Sequence, residues 1–339
     1  MNTFKKLSEQ QLKEILAKTA TVRIGLIGDL CLDIYWKADM KRSELSRETP
    51  HFPLPVVEEY MSPGGGGNAC ANIAAIRPAR VEAIGVVGDD WRGKALLKEL
   101  NDRGIGDNNI VVSKDVITNA YCKPIRMGVS HVEYEDPRLD FCNYKPISEA
   151  AEKALLISLE KVVKDLDVLC VSDQLQYGCV TPVIRRQLMK YAGEGLKVIV
   201  DSRDRIGEYK GVIMKPNEIE GWRVVHGSDA SRTDTFETYV TTVEKLVQIN
   251  KAPVCMTLGP NGCLYADNEG ITHVEAYTVS PPIDIVGAGD TFLAAFGVAL
   301  GAGIEPAFAA SFGNLASSIT VKKIGTTGTA SPEELMQSL

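Results

Sequence analysis

Short apolar runs rich in β-branched residues alternate along the chain with longer segments of helical periodicity. The runs predict buried strands at Val22–Gly28, Val81–Val87, Val168–Ser172, Lys197–Asp201, Val212–Lys215 and Val254–Leu258. The intervening segments predict helices at Asn68–Ile76, Gly93–Arg103, Glu149–Asp165, Pro182–Ala192 and Glu237–Asn250. Strand–helix alternation with almost continuously apolar strands is typical of a mostly parallel sheet that helices cover on both faces. The pattern therefore predicts an α/β fold.

Three helix starts carry capping signals. Ser8, with Gln11 three residues later, is a capping box that opens a short amphipathic helix before the first strand. Thr181 precedes a proline at the first helical position, and Ser331 repeats this device with Glu334 as the capping-box glutamate. These signals predict helices that begin after residues 8, 181 and 331.

Two segments interrupt the alternation, at residues 34–62 and 116–146. Both contain proline, aromatic and charged residues in short alternating pieces, for example Tyr121-Cys-Lys-Pro-Ile-Arg126. This pattern predicts β-strands inserted into the α/β core, as a lid or a small second sheet. Because no serine- or glycine-rich linker and no internal repeat divides the chain, we expect one domain over residues 1–339 with these two lid insertions.

Composition and charge narrow the possible functions. The 339 residues are 45% hydrophobic and 24% charged, which is close to the average of globular proteins. The net charge of −7 disfavours binding to nucleic acid or to anionic membranes, and no apolar run reaches the ~18 residues of a membrane span. The eight cysteines form no C-x-x-C pair and no Cys/His cluster, which favours reduced thiols in the cytoplasm over disulfides or zinc.

The first stretch that could carry chemistry is Gly287-Ala288-Gly289-Asp290. Small residues at 287–289 allow backbone N–H groups to converge on an anion at the start of a helix. A carboxylate there would repel an anion, unless Asp290 accepts a proton from a hydroxyl that attacks a phosphoryl group held by those N–H groups. The alternative is that Asp290 only caps the helix, and the segment alone does not decide between the two.

A second glycine-rich stretch, Pro63-Gly-Gly-Gly-Gly-Asn68, leads into a helix of small residues. Gly64 and Gly65 permit close approach of a polyhydroxyl ligand, and the Asn68 amide offers donors and an acceptor to sugar hydroxyls. The alternative is a flexible loop in which Asn68 caps the helix. The stretch matches neither the dinucleotide-binding nor the Walker fingerprint, which disfavours a nicotinamide-dependent oxidoreductase.

Two further motifs have a structural and a functional interpretation. The segment from Thr257 through Gly259 to Gly262 lies between two strand-like runs, which favours a plain hairpin turn. Asn217 and Glu220 have the spacing of a capping box, but a glutamate at a helix start near a phosphate could also hold a water bound to Mg²⁺.

Two aspartates, Asp29 and Asp33, follow the first predicted strand. Ligands of open α/β sheets bind at the carboxyl ends of the strands, so this is where a ligand is expected. An ionised Asp33 could accept hydrogen bonds from a pair of sugar hydroxyls, whereas the alternative for either aspartate is a turn residue.

Taken in order, these motifs resemble one family. The succession G-D-x-x-x-D, G-G-x-x-x-N, N-x-x-E, T-x-G-x-x-G and D-x-x-G-A-G-D-T-F resembles the ribokinase-type (PfkB) carbohydrate kinases over residues 21–330. Further segments are similar to the subgroup that contains the kinase domain of the bifunctional heptose enzyme, which acts on D-glycero-β-D-manno-heptose 7-phosphate. They are residues 27–36, 46–50 with 53–57, 138–141, and 323–327 with 331–335.

The resemblance implies a ribokinase-like fold and a division of labour in phosphoryl transfer from ATP. Asp290 would be the catalytic base, and the stretch Gly287–Gly289 with Ala288 would form the anion hole. Asn217 and Glu220 would organise Mg²⁺ and its waters. The remaining nucleotide residues implied are Thr257, Gly259 and Gly262 at the phosphates and Asn314 near the adenine.

The resemblance also implies residues that hold the acceptor, a sugar or sugar phosphate. Asp33, Gly64, Gly65 and Asn68 would bind the sugar under the lid. Candidate cations for a phosphorylated sugar are Lys123, Arg126 and Arg203. Asp284 and Val286 would flank a monovalent-cation site, K⁺ for example, through carbonyl oxygens.

Several segments depart from the heptose subgroup. Asp201-Ser-Arg203 stands where that subgroup has D-P-K, and Ser172–Gly178 lacks its lysine. A kinase with a different sugar, or a catalytically silent sugar-binding sensor, therefore remains as an alternative. A lid with exposed strand edges also predicts a homodimer that pairs through the lid.

Overall fold

The computed structural model describes residues 1–128, 130, 132–228, 231 and 234–339, so positions 129 and 131 of the predicted insertion 116–146 lie outside the described residues. The strands are β1 Asn2–Phe4, β2 Arg23–Gly28, β3 Leu30–Asp39, β4 Val56–Gly65, β5 Arg80–Gly88, β6 Gly106–Ser113, β7 Asn119–Met127, β8 Glu133–Glu135, β9 Leu139–Phe141, β10 Val168–Asp173, β11 Lys197–Ser202, β12 Ile213–Met214, β13 Val254–Thr257, β14 Cys263–Asp267 and β15 Gly270–Val274. The helices are α1 Glu9–Thr19, α2 Gly66–Ala75, α3 Trp91–Asn101, α4 Glu149–Val162, α5 Pro182–Gly193, α6 Glu218–His226, α7 Phe236–Asn250, α8 Ala288–Gly301, α9 Pro306–Thr320 and α10 Pro332–Gln337.

A large, mostly parallel sheet forms the centre of the molecule, which confirms the predicted fold class. Its strand order is β1-β15-β14-β13-β12-β11-β10-β2-β5-β6. All neighbours from β13 to β6 are parallel, whereas β14 is antiparallel to both β13 and β15. The strands predicted from apolar runs are β2, β5, β10, β11, β12 and β13, and they occupy consecutive positions in this sheet.

Helices cover both faces of the large sheet, as the alternation of buried strand residues shows. On β2, Ile24 and Leu26 belong to one apolar core and Ile27 to the other. Helices α8 and α9 pack on the first core, and α4, α5 and α7 pack on the second. The parallel strands are therefore buried on both sides, which explains their continuous hydrophobic sequence.

The predicted helix starts are confirmed where capping residues mark them. The capping boxes at Ser8 and Ser331 are formed with both hydrogen bonds, and the Thr181 hydroxyl accepts the N–H of Ile184. Ends without such signals are less accurate. The helix predicted from Asn68 begins two residues earlier, because α2 follows β4 directly.

The inserted segments form one small sheet, which we call the lid sheet. Its order is β4-β3-β7-β8, and β9 also pairs with β7. Strand β3 begins at Leu30, directly after β2 ends at Gly28, so the chain passes from the large sheet into the lid sheet around Asp29. This continuity places Asp33 beside the carboxyl ends of the parallel strands.

Most of the cysteines lie in strands of the two sheets, and Cys70 lies in α2. All eight cysteines are unpaired, and seven of them are buried. Within the described ranges, no helix combines the length and the apolar character needed to cross a bilayer.

Candidate active site

The start of α8 supplies an anion-binding helix end. Gly287 is the N-cap and has a left-handed backbone with φ of 81°, and it provides no side-chain cap. The N–H groups of Gly289 and Asp290 in the first turn are therefore available to an anion. Asp290 is the third residue of the helix, so the alternative in which it merely caps the helix is wrong.

The Asp290 carboxylate is held by a polar network between α2 and α8. Asn68 Nδ2 donates to Asp290 Oδ2 at 2.7 Å. Asn72 Nδ2 donates to the Asn68 carbonyl at 3.0 Å and to Asn68 Oδ1 at 3.2 Å, and the Thr291 hydroxyl donates to Asn72 Oδ1 at 2.8 Å. These bonds fix the Asn68 amide so that its NH₂ group faces the carboxylate.

The environment of Asp290 suits proton transfer near neutral pH. Burial raises the pKa of Asp290 to about 7, the Asn68 hydrogen bond lowers it, and the nearby Asp201 raises it. A carboxyl group with a pKa near the working pH can both accept and release a proton efficiently.

A buried ion pair that the sequence analysis missed lies beside this helix end. Lys215 Nζ is 3.0 Å from Asp201 Oδ2, and Lys215 is 2% exposed. A Cβ atom added to Gly289 would lie 4.0 Å from Lys215 Nζ, so the ammonium group adjoins the first turn of α8. A lysine at the end of a buried apolar run signals such a pair, because a buried lysine needs an acidic partner.

Asn217 and Glu220 form the capping box at the start of α6. Asn217 Oδ1 accepts the N–H groups of Ile219 and Glu220, and Glu220 Oε2 accepts the N–H of Asn217 at 2.8 Å. The pKa of Glu220 is raised to about 7, first by burial and then by Asp201, while Lys215 lowers it. The structural interpretation of this motif is thus confirmed, and the carboxylate still faces the Asp201–Lys215 pair.

No protein cage for a metal ion is present in the described part of the chain, where no three His, Cys, Asp or Glu side chains are grouped to hold one. The residue that fits Mg²⁺ is Glu220, because this ion takes carboxylate oxygens directly or through its waters and completes its ligands from substrate phosphates.

The Thr257–Gly262 segment is a hairpin turn next to the capping box. β13 and β14 are antiparallel on either side of it, which confirms the hairpin interpretation, and Thr257 bridges to Asn217. Gly262 has φ of 80°, and a Cβ atom there would meet the Val274 carbonyl oxygen at 2.0 Å. Only glycine fits at position 262, and Gly259 also has a left-handed backbone, with φ of 52°, but open space around it.

Asn314 lies in the middle of α9 and holds the end of β15. Its Nδ2 donates to the carbonyl oxygens of Val274 at 3.3 Å and Glu275 at 3.2 Å. Because Val274 also contacts the turn at Gly262, Asn314 is joined to the hairpin through the backbone.

Asp33 forms a nearly buried ion pair on the lid sheet. Lys123 Nζ is 3.1 Å from Asp33 Oδ2 and donates to the Tyr35 hydroxyl at 3.0 Å. A Cβ atom at Gly64 would meet Asp33 Oδ1 at 2.6 Å, and Gly65 has φ of 53°. The two glycines therefore allow α2 to begin directly beneath Asp33.

Two predicted acceptor cations are not part of this cluster. Arg126 pairs with Asp136 at 2.6 Å and lies on the face of β7 opposite to Lys123, because strand residues alternate. Arg203 is exposed in the loop after β11, where its carbonyl oxygen accepts a hydrogen bond from Arg223.

Asp284 and Val286 lie in the loop before α8. Asp284 Oδ1 accepts the N–H of Val286 at 3.0 Å, and Oδ2 accepts the N–H of Gly325 at 3.1 Å. The Asp284 carboxylate thus joins this loop to the segment after α9.

The Asp29 carboxylate, in contrast to that of Asp33, binds backbone N–H groups of a neighbouring loop. Its Oδ2 accepts the N–H groups of Gln174 and Leu175, and its Oδ1 accepts that of Cys179. Burial raises the pKa of Asp29 to about 6, and the nearby Asp173 adds to the rise. The loop that departs from the heptose subgroup at residues 172–178 is therefore wrapped around Asp29.

Comparison with known proteins places the chain in a sequence family. The model of the pfkB family carbohydrate kinases matches residues 34–334. The bifunctional protein HldE of Shewanella piezotolerans is 29% identical over 338 residues, covering 97% of this chain and 65% of that protein. HldE of Hyphomonas neptunium is 31% identical over 337 residues, covering 97% of this chain and 66% of that protein. The chain thus spans about two thirds of the length of these relatives.

Solved structures share the fold. Arabidopsis thaliana ribokinase complexed with ribose and ATP has a TM-score of 0.69 at 19% identity, covering 94% of this chain and 98% of that chain. Phosphofructokinase-2 from Escherichia coli in complex with potassium has a TM-score of 0.71 at 22% identity, with the same coverage. These similarities confirm the ribokinase-like architecture.

Proposed function

From the premise that the chain belongs to the pfkB family of carbohydrate kinases, we propose that it uses ATP to phosphorylate a hydroxyl group of a sugar or sugar phosphate. The observation that carries this proposal is the uncapped start of α8, with Asp290 in its first turn and a pKa of about 7. An anion-binding helix end next to a carboxylate that can take a proton is what hydroxyl phosphorylation requires.

Asp290 acts as the base in the proposed reaction. The acceptor oxygen forms a bond to the γ-phosphorus while the bond from this phosphorus to the β–γ bridging oxygen breaks. Asp290 takes the hydroxyl proton, and ADP leaves with the electron pair of the broken bond. The first-turn N–H groups beside Gly287, Ala288 and Gly289 hold the transferred group, whose charge must be stabilised during transfer.

Lys215 and Glu220 support the phosphates in this proposal. Lys215 brings a positive charge next to Gly289, and Asp201 keeps that ammonium in place. Glu220 accepts a hydrogen bond through Oε2 only, which leaves its other oxygen for a water bound to Mg²⁺. Glu220 would hold the ion through that water, and the ion would supply positive charge against the charge that develops on the phosphates.

The nucleotide is proposed to lie along the hairpin after β13. Thr257 and Asn217 adjoin each other there, and the open space around Gly259 gives a phosphate room to approach the backbone. Asn314 contributes by holding the end of β15 against this turn, near the proposed adenine position. A monovalent cation, such as K⁺, is proposed at the carbonyl oxygens of the loop Asp284–Val286.

Asp33, Gly64, Gly65 and Asn68 are proposed to surround the acceptor sugar. The sequence resemblance favours a heptose 7-phosphate type of acceptor, for which Lys123 would be the cation on the face that carries Asp33. A sugar without phosphate is the second candidate, and the charges of the lid sheet favour it, since Lys123 is already paired with Asp33.

A homodimer through the lid sheet is a further part of the proposal. Tyr134, Leu139 and Phe141 are exposed apolar residues on strands β8 and β9. They lie on the face that also carries Arg126. Exposed apolar patches of this kind mark association surfaces. The unpaired, mostly buried cysteines support a cytoplasmic location.

The proposal is tested by ADP release from Mg-ATP with a panel of acceptors, with and without K⁺. The panel contains ribose, fructose, fructose 6-phosphate, nucleosides and D-glycero-D-manno-heptose 7-phosphate. Acceptor-dependent ADP release that Asp290→Asn lowers by at least ~10²-fold supports a kinase. Absence of turnover, together with a melting temperature raised by one sugar, would instead support a catalytically silent sensor.

A further inference from the structure

A cavity of about 550 Å³ lies between the lid sheet and the segment that follows α9. Its volume is in the range of small-molecule sites. Residues from four lid strands form one wall, and residues 324–326 form the other. The lining residues are Tyr35, Lys37, Glu58, Tyr60, Ile125, Glu133, Glu135, Ile324, Gly325 and Thr326.

This cavity continues the proposed acceptor site. Asp33, Tyr35 and Lys37 alternate along β3 and so share one face of the lid sheet. The Tyr35 hydroxyl, which lines the cavity, binds the same Lys123 ammonium that pairs with Asp33. An acceptor that lies at Asp33 therefore extends along this face toward Lys37.

The opposite wall also adjoins the reaction site. A Cβ atom added to Gly287 would lie 3.6 Å from Thr327 Cγ2, and Thr326 lines the cavity. The cavity thus begins beside both the sugar-binding strand and the anion-binding helix end.

The charge of the cavity is negative. Glu58, Glu133 and Glu135 line it together with a single lysine, Lys37. Lys37 Nζ is 3.4 Å from Glu133 and 3.9 Å from Glu58, so its charge is already balanced. Among residues 1–128, 130, 132–228, 231 and 234–339, Glu135 has no ion pair or side-chain hydrogen bond.

Aromatic rings complete the wall. Tyr35 and Tyr60 stack with their ring centroids 4.4 Å apart and their planes at 5°. The pair offers a flat surface and two hydroxyl groups beside the carboxylates. The wall therefore presents hydrogen-bond acceptors and an apolar platform, and its one lysine is paired.

We propose that this cavity receives the end of the acceptor remote from the phosphorylated hydroxyl, and that this end is a hydrogen-bond donor without negative charge. Hydroxyl groups and an ammonium group both have this chemistry, whereas a phosphate does not. This inference rests on the proposed function, because only a kinase has an acceptor to place here. It favours the second acceptor candidate over a sugar phosphate.

The physical reason is repulsion of like charges. A phosphate with about −1.5 to −2 charges would approach three carboxylates and a lysine that is already paired. A hydroxyl or ammonium group would instead donate to Glu135, which has a free carboxylate on the cavity wall. Unpaired like charges in a binding site act against the wrong ligand.

The test uses acceptors that differ only at the remote end. The set is D-glycero-D-manno-heptose with its 7-phosphate and its 7-amino-7-deoxy analogue, and fructose with its 6-phosphate. We expect kcat/KM for the unphosphorylated or amino member to exceed that of the phosphorylated member by at least ~10-fold, the scale of one misplaced charge. Better turnover of heptose than of its amino analogue identifies hydroxyls as the donors, and the reverse order identifies an ammonium.

Charge reversal at the cavity wall separates this specificity from general activity. Glu135→Lys is expected to raise kcat/KM of the phosphorylated acceptor, relative to that of the unphosphorylated one, by about tenfold. Glu135→Gln is expected to raise the same ratio by less. Glu269→Lys, in the turn between β14 and β15, changes the net charge equally and is expected to leave the ratio unchanged.

The cavity assignment and the proposed kinase function would be overturned by different results. Equal or better turnover of the phosphorylated members by the unmodified protein would overturn the cavity assignment and leave the kinase in place. Lack of ADP release with every acceptor would overturn the proposed function. In that case calorimetric binding of the same pairs still tests the cavity, and tighter binding of the phosphorylated member would overturn it.

Discussion

Asn68 Nδ2 donates a hydrogen bond to Asp290 Oδ2 across 2.7 Å, although the two residues are 222 positions apart in the sequence. The bond joins the first turn of α2 to the first turn of α8. It stabilises the ionised carboxylate and so opposes the burial that raises the pKa of Asp290 to about 7. The glycine-rich stretch before Asn68 is thereby linked physically to the glycine-rich stretch before Asp290.

Asp290→Asn is expected to lower kcat by at least ~10²-fold, because general base catalysis typically contributes ~10²–10⁴-fold. The substituted amide can still accept from Asn68, so the fold and the acceptor affinity should be preserved. Steady-state ADP release measures the effect, and the melting temperature checks the fold. Asp102→Asn, at the exposed C-terminal end of α3, is the matched control. Turnover near that of the unmodified protein would exclude Asp290 as the base.

Asn68→Ala is expected to raise the pKa of Asp290, because it removes the hydrogen bond that lowers this pKa. A base must be deprotonated to act, so activity is present above its pKa and is lost as the pH falls through it. The acidic limb of kcat/KM, which the buried environment of Asp290 sets near pH 7, should therefore move to higher pH.

A pH profile of kcat/KM from 5.5 to 9 would detect this displacement. Asn101→Ala is the control, since Asn101 Nδ2 donates to Asp107 Oδ2 at the same 2.7 Å on the exposed end of α3. An acidic limb that stays in place in Asn68→Ala, or moves to lower pH, would contradict the role given to Asn68.

Gly289→Val is expected to lower kcat by about 10²-fold without unfolding the protein. The nearest neighbour of an added Cβ atom is Lys215 Nζ at 4.0 Å, so the fold has space for a side chain there. That space is where the transferred phosphoryl group is proposed to bind, and loss of one anion-hole contact costs ~10²–10³-fold.

Gly193→Val serves as control for the glycine substitution. Gly193 ends α5, and an added Cβ atom meets nothing within 4 Å. Equal ADP release by the two variants would show that the phosphoryl group binds elsewhere.

The parts of the fold that sequence predicts best are those dictated by local patterns. The buried parallel strands had continuous apolar runs, and the helix starts at Ser8, Thr181 and Ser331 had capping residues. Strand β14 corresponds to the strand-like run after the predicted hairpin turn, whereas β15 was not predicted. It pairs antiparallel with β14, its neighbour in the chain, and parallel with β1 at its other edge, and this second partner is not visible in the local sequence.

In the candidate site, too, local patterns identify single residues but not the contacts between them. The motifs at Asn68 and Asp290 were found separately, but no local pattern indicated that their side chains meet. The Asp201–Lys215 pair was missed because each residue simply ends an apolar strand run, and the partner is defined only by the sheet order. Asp29 and Asp33 had equivalent sequence positions, and only the path of the chain separates their roles.

Asp29→Asn is expected to destabilise the fold by about 1–3 kcal/mol, because an amide NH₂ would face backbone N–H donors and leave one of them unsatisfied. The folded state raises the pKa of Asp29 to about 6, above the ordinary value of 3.8. Proton binding to Asp29 therefore stabilises the fold, and this contribution is lost as the pH rises through about 6.

Urea unfolding at pH 7 and pH 5 measures this linkage. The difference in unfolding free energy between the unmodified protein and Asp29→Asn should grow by about 1 kcal/mol at the lower pH. Asp167→Asn is the contrasting control, because Arg23 lowers the pKa of Asp167 and its contribution is lost only at more acidic pH. A difference for Asp29→Asn that shrinks at pH 5 would contradict the assignment.

Leu139→Asp is expected to convert a lid-paired dimer into monomers. Leu139 is 53% exposed on β9, and it shares a face of the lid sheet with the exposed Tyr134 and Phe141. A carboxylate at the centre of an apolar interface would lose its hydration on association without gaining a partner.

Light scattering after size exclusion measures the mass, and Ile157→Asp, at an exposed apolar position of α4, is the control. A chain that is monomeric before substitution, or a dimer that survives Leu139→Asp and remains folded, would place any association elsewhere. Because the cavity lies on the opposite face of the same sheet, loss of the dimer should leave the ratio of kcat/KM between phosphorylated and unphosphorylated acceptors unchanged.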